Sequence, residues 1–202
     1  MNSYIAHIFE ELAAATWDRI QFGEQLRCSQ GEETITDINL LELKRARLPN
    51  IRVEKFNKAQ ESETGLDWEW WIGSDHNGWW RYAVQAKKVD SSGRYSSIRH
   101  KINHQFQIDI LEQYATLNRC IPVYCLYNYA SIDLQPYWHC NYPYNQNQLG
   151  CTVASIDIVR KAFAQRGHKT FQFIHSHQSV LPWRCLVKCP AIFSLTSGHS
   201  HP

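Results

Sequence analysis

Four side chains stand out for what they could do together: Asp67, Glu69, Gln85 and Lys87, within G-L-D-W-E-W-W-I-G-S-D-H-N-G-W-W-R-Y-A-V-Q-A-K-K from Gly65 to Lys88. Carboxylates and amide oxygens are ligands for hard divalent cations. An ammonium is a compact charge that steadies anionic oxygen. A strand that had only to pack would not carry this mixture among Trp, Ile and Val. Whether the four meet depends on the elements that hold them.

Two aromatic and β-branched runs, Leu66 to Ile72 and Trp79 to Val84, flank Asn77-Gly78 and read as a β-hairpin. A two-residue loop would set Asp67 against Lys88 and turn Lys87 to the opposite face. A three-residue loop, His76-Asn77-Gly78 with Gly78 left-handed, sets Asp67 opposite Lys87 and Glu69 opposite Gln85. All four then share one face, with Trp68 and Trp70 on the other. A slip of one residue flips a whole strand, so the chemistry requires an odd loop or an equivalent bulge.

An Asp at a strand start, a hairpin, and a strand carrying Q-x-K resemble the PD-(D/E)XK nuclease superfamily, nearest its Mrr-like variant with Gln as the second "acid". E-E-T-I-T-D, G-L-D-W-E-W-W and V-Q-A-K-K also resemble an uncharacterised bacterial family within it. The likeness runs from about Glu32 to Tyr127, and the literal Pro-Asp is absent because Leu66 precedes Asp67. It implies an α/β fold: a restriction-endonuclease-like core whose mixed central β-sheet is flanked by helices. It also implies Mg²⁺ (or Mn²⁺) held by Asp67, the Gln85 amide, the Ala86 carbonyl and an acid from the first core helix, with Lys87 at the reacting phosphate. Glu33, just ahead of T-I-T-D, is preferred to Glu32 for that acid. Glu69 is the reserve ligand, and Gln107 is a polar contribution from the helix after the lysine strand. The activity implied is endonucleolytic hydrolysis of phosphodiester bonds, in DNA before RNA, in bacterial anti-phage defence or as the effector of a defence system. A homodimer or protein partner would confer specificity on so small a chain.

The 202 residues suffice for one domain with a sizeable core: a nuclease-like part over about 30–130, an extension over about 131–195 and a disordered tail, 196–202. A net charge of +2 gives no global field to draw in nucleic acid, so local patches or a partner must do so. Eight Trp and ten Tyr are read as core before base stacking. An odd count of seven cysteines, no signal-peptide pattern and no apolar run of about 18 residues point to free thiols in the cytoplasm and no membrane contact.

Helical spacing of apolar residues predicts one or two helices over Ser3–Leu26, and a helix through Ile38–Leu43 capped by Thr34 or Thr36. Ile51–Lys58 reads as the first strand, with Glu61 and Glu63 as solvated loop acids. A helix is expected from about Ser96 to Leu117. Ile121 to Tyr129 is apolar enough for a strand covered on both faces. Beyond it come a long loop (Gln135–Leu149), a helix (Ala154–Gln165) and two late strands (Phe171–Ile174, Trp183–Val187).

His139, Cys140, Cys151, His175, His177, Cys185 and Cys189 invite a zinc reading. No C-x-x-C pair supports it, and buried thiols with loop histidines are the plainer account. No phosphate-cradling glycine loop is present. Two other readings stand beside the nuclease: a catalytically inactive nuclease-like module binding nucleic acid or a protein, and an unrelated α/β protein whose hairpin acids form salt bridges.

Overall fold

The computed structural model describes residues 3–165 and 167–189. The tail expected to be disordered lies outside the described residues. The N-terminal periodicity produces one helix, α1 (Ser3–Gln25), and α2 follows (Glu32–Arg45). Neither Thr34 nor Thr36 caps α2: Gly31 is its N-cap, and the Thr36 hydroxyl hydrogen-bonds the Tyr127 hydroxyl at 3.0 Å.

Next come β1 (Ile51–Lys55), a short helix α3 (Lys58–Thr64), β2 (Trp68–Ser74) and β3 (Gly78–Lys88). α3 replaces the loop expected around Glu61 and Glu63. Asn57 and Gln60 form a capping box at its start, and Gly65 ends it in the left-handed conformation (φ 73°). The long helix expected from Ser96 is broken up. A 3-10 turn (Ser96–Arg99) and a small ladder, β4 (Lys101–Ile102) with β5 (Gln105–Phe106), precede α4 (Gln107–Asn118). Asn103 and His104 link β4 to β5 at positive φ, which ends any helix there.

β6 (Ile121–Tyr127) is buried at every residue, as a strand covered on both faces should be. The late region departs furthest from expectation. Cys151–Ser155 is strand β7, leaving Ile156–Ala164 as helix α5. The two stretches taken for strands are short helices, α6 (Phe171–His175) and α7 (Cys185–Lys188), while the final strand β8 is Leu181–Pro182.

The fold is α/β, with a mixed six-stranded sheet in the order β1-β2-β3-β6-β7-β8. β3 and β6 are its parallel pair; the other neighbours run antiparallel. Helices cover both faces. Trp68, Trp70, Val84, Ala86, Val123 and Val153 pack with Phe9 of α1 and Leu40 of α2. On the opposite face Ala83, Tyr124, Leu126 and Ala154 pack with Ile108 and Leu111 of α4 and Val159 of α5. Trp68 and Trp70 are wholly buried, so these two are core and offer no stacking surface to a base, while Trp71, Trp79 and Trp80 of the same hairpin are partly buried. Among the described residues no helix is long and apolar enough to cross a membrane.

Candidate active site

The hairpin loop is three residues long, as the chemistry demanded, but it is Asp75-His76-Asn77. Gly78, at φ 78°, pairs with Ser74. The ladder is therefore shifted by two residues from the predicted one. Glu69 faces Ala83 instead of Gln85, and Asp67 comes alongside Gln85 instead of Lys87. A shift of two keeps every side chain on its face. Asp67, Glu69, Gln85 and Lys87 thus share the α4 face, opposite Trp68 and Trp70.

At the end of the hairpin away from its turn, Asp67 Oδ2 accepts from Gln85 Nε2 at 2.7 Å and from the Ala86 backbone N–H at 2.6 Å. Its other oxygen accepts no hydrogen bond among the described residues. Gln85 is buried, and its Nε2 also donates to the Ala86 carbonyl at 3.0 Å. Its amide oxygen, the predicted cation ligand, instead accepts from Gln107 Nε2 at 2.6 Å. Gln107, the first residue of α4, so joins the site through Gln85.

Lys87 is buried, and its ammonium lies 3.5 Å from Glu32 Oε1. Glu32 Oε2 accepts the Lys88 backbone N–H at 2.8 Å. The acid that α2 brings to the hairpin is therefore Glu32, not Glu33, whose exposed carboxylate pairs with Lys58 at 3.2 Å. Helix geometry accounts for the choice. Glu32 falls on the stripe of Thr36, Asn39 and Leu43 that α2 buries, whereas Glu33 lies on its flank.

Glu69 is occupied elsewhere. Arg81, diagonal to it on the same face, grips it with Nη2–Oε1 at 2.7 Å and Nε–Oε2 at 3.1 Å, and the Tyr114 hydroxyl donates to Oε1 at 2.8 Å. A buried carboxylate with a bidentate guanidinium and a phenol is fully engaged, so Glu69 belongs to the packing of α4 on the hairpin.

Asp67 opens onto a pocket of about 270 Å³ lined also by Glu32, Glu33, Asp37, Glu61, Lys55 and Lys58. Glu61 is the residue that the loop reading missed. The N-x-x-Q signature at Asn57–Gln60 was the sign that Glu61 sits on a helix. Five carboxylates face two lysines in this lining. Burial pushes the Asp67 carboxyl up from 3.8 to about 7, against the opposing pull of Lys87 and the Ala86 N–H, with Glu61 and Glu32 adding to the rise. Such a pocket repels a phosphodiester until cation charge is supplied.

Mg²⁺ suits the donor set, since that ion keeps several waters and is commonly held by one or two carboxylates. Asp67, with one oxygen unclaimed, and Glu32 are the fitting residues; Gln85 would have to turn its amide over to join them. The carboxylates form no tight cage. Among the described residues, the only group of three or more His, Cys, Asp or Glu with ligand atoms within 4.8 Å of one another is Cys140, Cys185 and Cys189. Of the other zinc candidates, His175 bonds Thr152 at 2.9 Å, and His139 bonds the His175 carbonyl at 2.8 Å. All seven cysteines are free thiols.

No curated protein matches this chain. A family model does, over residues 5–198, and its description is "Family of unknown function (DUF6615)". The match takes in both the hairpin site and the C-terminal strands, and the chain belongs to that family.

Proposed function

We propose that this chain is a metal-dependent nuclease of the PD-(D/E)XK kind that hydrolyses phosphodiester bonds, with DNA as the substrate. The observation that carries the reading is the meeting of Asp67, Gln85 and Lys87 on one face of β2 and β3, joined by Glu32 from α2, at a pocket open to solvent. The mixed sheet flanked by helices, in which β3 runs parallel to β6 and antiparallel to β2, supports it as the kind of core that the sequence resemblance implied.

When bound at Asp67 and Glu32, Mg²⁺ or Mn²⁺ would offset phosphate charge and lower the pKa of a water molecule in its shell. The chain's own residues do the positioning. Gln85 and the Ala86 N–H fix one Asp67 oxygen and leave the other for the pocket. Glu32, which lines the pocket, pairs with the buried Lys87 ammonium, which would steady charge that develops on a phosphoryl oxygen. Gln107 sets the rotamer of Gln85. A role in anti-phage defence, and a second copy or partner that confers specificity, belong to the same proposal.

A second reading has its own support. The Gln85 amide, closed between Asp67 and Gln107, is also what a binding module that has given up catalysis would show. Plasmid, linear duplex, single-stranded DNA and RNA should be incubated with Mg²⁺ or Mn²⁺, comparing the wild type with Asp67→Ala, Lys87→Ala and Glu32→Gln. Cleavage is expected to fall by about 10²–10³-fold in the first two and to fall in the third. Glu33→Gln is expected to cleave as the wild type does. Activity that survives both alanine changes rules the nuclease out; binding without cutting by the wild type selects the inactive module.

A further inference from the structure

A second cluster lies far along the chain from the nuclease residues. Cys185 and Cys189 flank the single turn of α7, and an i, i+4 spacing puts them on one face of it. Cys140 reaches them from the segment between the 3-10 turn at Gln135–Tyr137 and the one at Gln146–Gly150. Cys140 Sγ stands 3.3 Å from Cys185 Sγ and 3.4 Å from Cys189 Sγ, and all three sulfurs lie within 4.8 Å of one another. We propose that Cys140, Cys185 and Cys189 bind one zinc ion as a structural three-thiolate site.

The geometry favours this over the alternatives. Two sulfurs on a tetrahedral zinc with Zn–S near 2.3 Å stand about 3.8 Å apart, so the cluster needs only a slight opening. A disulfide needs its sulfurs at about 2.05 Å and would strand the third thiol. An ordinary core gains nothing from three weakly polar S–H groups that face one another, whereas a zinc ion uses all three.

The surroundings suit an anionic cluster. Binding releases three thiol protons, and three thiolates with Zn²⁺ leave one net negative charge. Arg184, buried, pairs with Glu10 at 2.7 Å and lies beside Cys140. His139 takes no part, since its ring nitrogens are not among the ligand atoms that lie within 4.8 Å of one another. A water molecule would complete the tetrahedron. The ion would tie α7 to the segment that follows β6, two parts of the chain joined by few regular hydrogen bonds. This site stands apart from the nuclease reading and does not depend on it.

The test uses the full chain, expressed with zinc in the medium and purified under reducing conditions without chelator. Mass spectrometry for metals is expected to find about one zinc per chain. Cys140→Ser and Cys185→Ser should lose it, while Cys120→Ser, at a buried cysteine outside the cluster, should keep it. Because a variant can fail by misfolding, Co²⁺ is also exchanged into the wild type, where sulfur-to-cobalt charge-transfer and tetrahedral d–d bands are expected. Wild-type protein with no zinc above background and no such bands overturns the proposal. So does recovery of Cys140 in a disulfide with Cys185 or Cys189 after alkylation of the freshly purified chain.

Discussion

The Asp67 carboxyl is the residue on which the site turns. Its surroundings hold it protonated well above the ordinary range: burial raises it to about 7, and the nearby ammonium and backbone N–H only partly compensate. Because the folded-state value lies above the unfolded one, the folded chain retains a proton that the unfolded chain has released between about pH 4 and about pH 7. Stability should therefore fall as pH rises through that window and stay lower above it, by up to roughly 4 kcal/mol. Asp67→Asn removes the titration, so urea denaturation at pH 5 and pH 8 should show the variant gaining on the wild type at the higher pH. An unchanged difference between the two would mean that Asp67 is already ionised at pH 5. At this scale the sequence was informative about Asp67, Gln85 and Lys87, because alternation along a strand fixes which side chains share a face. It was misleading about Glu33, where two adjacent acids differ only in their angle around α2. Glu69 was also beyond it, since its partner Tyr114 lies on a helix 45 residues away.

At the scale of elements, Gly65 is the joint that delivers Asp67 to the site. It ends α3 with φ 73° and lies so close to α4 that a Cβ would stand 2.8 Å from the Leu111 backbone N and 2.9 Å from the Gln107 carbonyl. Gly65→Ala should cost roughly 2–4 kcal/mol, from left-handed strain plus the collision. It should also move Asp67 away from Gln85, so that the folded fraction, measured by urea denaturation, cleaves poorly. Full stability in that variant would show that α3 and α4 can separate freely. The hairpin shows what pattern can and cannot set. The need for Asp67 and Lys87 to share a face set the parity of the loop, because one residue of slip would turn a whole strand over. It could not separate registers two residues apart, which keep every face the same. The diagonal pair Arg81–Glu69, joined by Tyr114 of α4, goes with the observed register.

Across the whole molecule, α1 connects the two ends of the sheet. Phe9 packs edge-on against Trp70 of β2 and against Trp183, which follows β8, at 5.9 Å in each case. Gly150 lets this helix come close, since a Cβ there would meet the Ala13 carbonyl at 2.1 Å. The described elements beyond residue 130 are thus part of the same sheet and core, and one cooperative unfolding transition is expected. Phe9→Ala should destabilise the chain by roughly 3–5 kcal/mol in chemical denaturation and shift Trp fluorescence and far-UV circular dichroism together. Separate transitions for the two probes would show that the late strands unfold on their own.

By itself the sequence determined the hairpin with its polar face, the buried β6 and the helical N-terminal segment, and its motifs implied the α/β class. The first three follow from patterns among neighbouring residues. Only the tertiary structure decided that Glu32 and Glu61 border Asp67, that Gln107 closes on Gln85, and that Cys140 joins Cys185 and Cys189. Those meetings join segments distant along the chain, and the packing of helices on the sheet, which no local pattern encodes, sets their distances.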